Sequence, residues 1–131
     1  MRISYCGLRI GPTMNPNEMK NRTKTYALAI IKLVQGLPNT PAVRVIGNQL
    51  LRSGTSVGAN YRASCRAKSQ ADFLAKMGIV EEEADESIYW MELLVESGIV
   101  HSTAVAELCN EGNQIVAMVV SPINTARGAK R

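Results

Sequence analysis

The chain has 131 residues, 46% hydrophobic, 20% charged and 5% aromatic, which excludes collagen-like or disordered chains and suffices for one domain with its own core. Its formal charge of +4 points toward a polyanion partner, but the total hides a polarity. Residues 1–71 hold eleven Lys/Arg against Glu18 alone, residues 72–111 hold ten Asp/Glu against Lys76 alone, and residues 112–131 add Arg127, Lys130 and Arg131. A chain polarised in this way is able to neutralise itself on folding, so net charge alone does not establish what it binds.

Residues 1–14 contain no continuous apolar stretch and read as a disordered leader instead of a signal peptide, with Met14 or Met19 as alternative starts. Asn15-Pro16-Asn17-Glu18 opens a helix: Asn15 accepts from free backbone N–H groups, Pro16 suits the first helical position, and Glu18 complements the positive end of the dipole. This helix is predicted over 16–35, ending at Gly36-Leu37-Pro38 with Gly36 in the left-handed conformation. Thr40-Pro41 opens the second, 41–67, along which Ile46, Leu50, Ser53 and Val57 recur at three- and four-residue spacing. Ser69-Gln70-Ala71-Asp72 resembles a capping box and starts the third, 70–97, whose core face reads Phe73, Met77, Val80, Ala84, Ile88, Met91, Leu94 and Val95. Ser102 or Thr103 caps the fourth, 103–120, although the β-branched run at Ile115–Val120 also suits a strand. Residues 122–131 are expected to form a flexible basic tail. Short connections between long amphipathic helices give an all-α, antiparallel up-down-up-down four-helix bundle over 15–121.

The longest apolar runs, Tyr26–Ile31 and Ile115–Val120, are far too short to span a bilayer, so no membrane partner is expected. Cys6, Cys65 and Cys109 are odd in number and lack metal-ligand spacing, which argues against a disulfide framework or zinc site and for a cytoplasmic location. Gly54-Thr55-Ser56-Val57-Gly58 matches a nucleophile elbow in letters only, because an elbow needs a strand before the serine and an α/β sheet around it. The acidic run 81–86 would suit a carboxylate-bridged metal pair in a bundle, but His101 is the only histidine and no Glu-x-x-His precedes it. No catalytic residue, metal site or cofactor is therefore expected, and the chain reads as non-enzymatic. The small-residue run Ser53–Ala59 marks either a tight helix crossing or a local break in the second helix.

On a helical projection Arg44, Arg52, Arg62 and Arg66 fall within about 80° of circumference, and Glu81, Asp85, Glu92 and Glu96 within about 60° on the third helix. Two readings follow. Either these ridges meet along the hairpin or across a subunit boundary, or part of the basic ridge stays open to a polyanion. Arg62, Arg66 and Lys68 also complement the negative end of the second helix.

The stretches QLLRSGTSVGANYRAS, 49–64, and FLAKMGIVEEEADESIYWMELLVESG, 73–98, resemble the bacterial four-helix-bundle family named for proteins encoded in intervening sequences of large-subunit ribosomal RNA genes. The family pattern matches Gln49, Leu50, Arg52, Ser56, Val57 and Asn60, with Glu86 as the matching glutamate of the third helix. Where many members continue Asn-Ile-Ala-Glu-Gly, this chain has Asn60-Tyr61-Arg62-Ala63-Ser64, so any role of that glutamate does not transfer. The resemblance implies a homo-oligomer, a pentameric ring being favoured, without enzymatic activity. It also implies kinship with accessory proteins that engage a reverse transcriptase and nucleic acid. The expected function is an adaptor that binds RNA or a reverse-transcriptase–RNA complex through Lys20, Arg22, Lys24, Arg44, Arg62, Arg66, Lys68 and the basic tail. Arg52, Ser56, Asn60 and Glu86 are expected to be structural or interface residues. The alternative is a protein–protein scaffold whose charges are paired internally, favoured if Tyr61 or Trp90 lies exposed.

Overall fold

The computed structural model describes residues 15–128, apart from the side chains of residues 121, 122 and 125–127. The expected leader, Cys6, Met14, the side chain of Arg127, and Lys130 and Arg131 lie outside the described residues. Four helices follow one another: α1 (Pro16–Gln35), α2 (Pro41–Ser64), α3 (Gln70–Glu96) and α4 (Ser102–Gly128). Connections of residues 36–40, 65–69 and 97–101 turn each helix back along its predecessor. The bundle therefore runs up-down-up-down, with α2 and α3 as its most intimate pair and α1 and α4 as its loosest neighbours.

The starts of the helices are written locally. Asn15 Oδ1 accepts from Glu18 N at 2.9 Å while Asn15 Nδ2 donates to the Glu18 carboxylate at 3.0 Å. Thr40 accepts from Val43 N at 3.3 Å, and Ser69 from Asp72 N at 3.0 Å, with Asp72 Oδ2 accepting in turn from Lys68 N at 3.1 Å. At α4 the cap is His101, not Ser102 or Thr103: its Nδ1 accepts from Thr103 N at 3.3 Å and its carbonyl from Ala104 N at 2.9 Å. Gly36 is right-handed, correcting the expectation there. The left-handed glycine is Gly98, φ 78°, where Ile99 N and Val100 N both reach the Leu94 carbonyl.

Two ends differ from the sequence expectation. α2 stops at Ser64, leaving Arg66 and Lys68 in the turn. α4 continues through Pro122 to Gly128 instead of ending near residue 120, so the flexible tail does not begin at 122. A proline inside a helix costs about 3 kcal/mol, and burial of Ile123, one turn beyond buried Val119, offsets it. The Ile115–Val120 run is helical.

The core joins Met19, Tyr26 and Ile30 of α1, Leu50, Val57 and Tyr61 of α2, the expected α3 stripe from Phe73 to Leu94, and Val105, Ile115 and Val119 of α4. Val95 is only partly buried. Tyr26 Oη is 2.7 Å from Ser87 Oγ, a buried bond that ties α1 to α3. The small-residue run resolves as a close crossing of α1 and α2, with α2 unbroken through it. A Cβ on Gly54 would collide with Ile30 Cδ1, and one on Gly58 would lie 3.0 Å from Thr23 Oγ1 and 3.5 Å from the Thr23 backbone carbon. Cys109 is a half-buried free thiol. Burial, with help from the Glu92 charge, pushes the Cys109 pKa up. No helix among the described residues is long and apolar enough to cross a membrane.

Candidate nucleic-acid interface

Asn17, Lys20, Asn21 and Lys24 follow the i, i+3, i+4, i+7 pattern and so share one face of α1. Arg62 lies in the last turn of α2 and Arg66 just beyond it. Antiparallel packing brings these two segments to the same end of the bundle. Together they line an open groove of about 710 Å³, which Cys65 also borders. A smaller recess of about 190 Å³ continues along the seam, bounded by Lys20, Lys24 and Arg62 and floored by Thr23 and Gly58. The recess reaches the α2 backbone because Gly58 contributes no side chain.

No carboxylate lines this groove, and among the described residues none lies within 4.0 Å of Lys20, Lys24, Arg62 or Arg66. Arg62 does occupy the favourable end of the α2 dipole, yet among the described residues its guanidinium has no side-chain partner there.

The other expected contacts are placed elsewhere. Arg22 leaves the Lys20/Lys24 face for α4, donating to both oxygens of Glu111 at 2.6 and 2.7 Å and to Gln114, with Met118 Sδ at 3.4 Å. The Glu111 hydrogen bond raises the Arg22 pKa. Arg44 lies at the opposite end of the bundle, bonded to Asn39 Oδ1 at 2.9 Å. The Lys68 side chain is exposed in the α2–α3 turn, outside the groove lining.

The two charge ridges do not zip together. Among the basic ridge residues Arg52 alone pairs with α3, donating to Glu83 at 3.0 Å and to Glu86, neither of which belongs to the expected acidic ridge. The reason is angular: Glu83 and Glu86 flank the core stripe and face α2, whereas Asp85, Glu92 and Glu96 are exposed. The Arg52 hydrogen bond holds Glu86 below the usual carboxylate range. Glu83, more deeply placed, is pushed up by burial despite Arg52. The buried Trp90 indole N–H lacks an acceptor at bonding distance but lies near enough to Glu86 to add to the lowering. Ser56 Oγ donates to the Arg52 carbonyl at 2.5 Å and Asn60 Nδ2 to the Ser56 carbonyl at 2.9 Å, so both are engaged with their own helix.

Sequence reasoning missed Asn17 and Asn21 as groove residues, although their spacing from Lys20 and Lys24 signals them. It also missed Glu111, for which an 89-residue separation leaves no local signal.

Comparison with known proteins follows the same outline. A crystal structure of a protein of unknown function from the S23 ribosomal protein family of Bacteroides thetaiotaomicron is 36% identical, with TM-score 0.74 over 79% of this chain and 96% of that one. No curated protein matches. The family model described as 23S rRNA-intervening sequence protein matches residues 16–121, spanning all of α1 to α3 and most of α4. The chain belongs to the 23S rRNA-intervening sequence protein family.

Proposed function

We propose that the protein is a non-enzymatic adaptor that binds RNA through the α1/α2 groove and assembles as a homo-oligomer, a ring of five being the favoured form. The observation that carries this reading is the convergence of Lys20, Lys24, Arg62 and Arg66 on one groove without a carboxylate among the residues that line it. Two facing helix segments of like charge repel, and a polyanion relieves that repulsion while releasing counterions. The names of the family and of the similar structure refer to ribosomal RNA or to the ribosome, in keeping with an RNA partner. A ring would repeat the groove around a rim and add avidity without new contacts. The non-enzymatic part is supported by Ser56, whose hydroxyl is bonded to its own helix, and by His101, which caps α4.

Anisotropy of a labelled RNA stem-loop tests the reading. Four phosphate contacts predict affinity falling with a log–log salt slope of roughly −3 to −4, and Arg62→Gln with Arg66→Gln should halve that slope. A flat salt response, or no binding, overturns it. Light scattering of the eluted protein tests the ring: a monomer refutes it.

The scaffold alternative has one observation in its favour. Tyr61 is buried and Trp90 half-buried, but Tyr89, 51% exposed, stands edge-on to Trp90 at 5.1 Å in an exposed stripe with Glu82, Asp85, Glu92 and Glu96.

A further inference from the structure

Resting on the RNA reading above, we infer that the groove takes the sugar-phosphate backbone of paired RNA in preference to an unpaired strand. Three features of the site lead there.

Among the described residues the groove has no stacking platform. Unpaired strands gain about 1–3 kcal/mol per base from stacking on aromatic rings, and no ring of the described residues lines either part of this groove. Tyr61, on the same stretch of α2 as Arg62, is 2% exposed and faces the core, as do Tyr26 and Phe73, while Tyr89 and Trp90 lie on α3. A single strand would keep the electrostatic gain and forgo the stacking.

The walls are also preset. Lys20 and Lys24 on one side are four residues apart on α1, a rise of about 6 Å along the bundle, and face Arg62 in the last turn of α2 and Arg66 just beyond it. The two rows are held in register by the Gly58–Thr23 contact, which leaves no room for a methyl group without displacement. Two helix segments fixed relative to one another suit a stiff, regular array of phosphates. A flexible strand must first be ordered to meet it, at an entropic cost that a duplex has already met.

The neutral groups on the rim are amides. Asn17 and Asn21 are exposed and line the groove beside the lysines, and each offers a donor and an acceptor of the kind that 2′-hydroxyls take. Contacts to phosphate and 2′-hydroxyl identify RNA without reading its sequence.

The test compares a labelled RNA duplex of about 20 base pairs, a uridine homopolymer of the same strand length and a DNA duplex, each titrated with the full chain at several salt concentrations. The expected order is RNA duplex tightest, at least tenfold tighter than the homopolymer, with a slope near −3.6 for four phosphates. Replacing both amides, Asn17→Ala and Asn21→Ala, should bring the RNA and DNA duplexes to within about twofold while leaving the salt slope unchanged. A homopolymer bound as tightly as the RNA duplex overturns the inference and leaves the RNA reading standing. A DNA duplex bound by the unaltered chain as tightly as the RNA duplex overturns the amide assignment. Failure to bind any of the three overturns the RNA reading itself.

Discussion

Lys20, Arg22 and Lys24 occupy alternate positions on one turn and a half of α1, yet they meet opposite surroundings. Arg22 crosses to α4 and is held by Glu111 and Gln114 at the loosest seam of the bundle. Lys20 and Lys24 face α2 at a seam where Ile30 and Thr23 pack directly onto Gly54 and Gly58, and among the described residues the charged side chains that share their groove are Arg62 and Arg66. The same division appears on α2, where Arg52 is paired with α3 and Arg62, ten residues on, is not. Cations are thus paired where the facing helix offers a carboxylate, and they are left unpaired along the α1/α2 seam, where α1 carries only Glu18 and α2 none, and where Gly54 and Gly58 let the helices pack closely. A seam so closed is able to tolerate like charges on both of its walls.

On this account the close seam should be the more fragile one. Gly58→Val would press a branched side chain onto Thr23, whose Oγ1 and Cβ lie 3.0 and 3.3 Å from an added Cβ and whose hydroxyl is held by the Met19 carbonyl at 2.9 Å. Overpacking of this kind costs about 3 kcal/mol, and a melting temperature lowered by roughly 10 °C checks it. Gly54→Ala should be milder, since Ile30 Cδ1 is the end of a flexible side chain, and Ile30→Val in the same chain should relieve it. Next in size is the effect of neutralising the groove. Arg62→Gln with Arg66→Gln should weaken RNA binding by roughly 10- to 100-fold near 0.1 M salt. Stability should stay within about 0.5 kcal/mol, because easing the repulsion between the groove walls offsets the weaker interaction with the α2 dipole. A large stability loss from that pair would show that the two arginines hold the fold together.

This division was only half legible in the sequence. The bundle, three of its four caps and the core stripes follow from local spacing, because caps act over three residues and a helical face repeats every three or four. The small-residue run signalled a close crossing, and the crossing proved to be with α1. Which cations are paired depends instead on angular position across helices, and a ridge drawn on α2 alone could not show that Glu83 and Glu86 face it while Asp85, Glu92 and Glu96 do not. The path of α4 beyond Pro122 was hidden for a related reason: local proline chemistry favours a stop, and only the core that receives Ile123 outweighs it.

The paired side of the comparison is tested by Arg22→Ala. With its side chain about a quarter exposed, the bidentate bond to Glu111 is discounted for solvent screening and should be worth about 1 kcal/mol. Urea unfolding should detect this loss while RNA affinity stays within twofold, the reverse of the Arg62/Arg66 outcome. Weaker RNA binding on removing Arg22 would place it functionally in the groove.

The smallest effects carry the same contrast into the core. Tyr26 shares a hydrogen bond with Ser87, whereas the buried hydroxyl of Tyr61 has no hydrogen-bond partner among the described residues. Burial pushes both phenols up to about 12. An unfolded tyrosine ionises near pH 10. The folded values are the higher ones, so the stabilisation from keeping both rings neutral is complete below about pH 10 and is lost as pH rises toward 12. At neutral pH, Tyr26→Phe should cost about 1 kcal/mol, limited because Ser87 Oγ keeps its bond to the Ala84 carbonyl at 2.7 Å. Tyr61→Phe removes an unsatisfied hydroxyl and should be neutral or stabilising by up to about 1 kcal/mol, with a shallower alkaline decline. Urea titrations of both variants at pH 7 and pH 11 measure these differences. Clear destabilisation by Tyr61→Phe would mean that this hydroxyl is satisfied in solution, and the paired and unpaired tyrosines would then be equivalent.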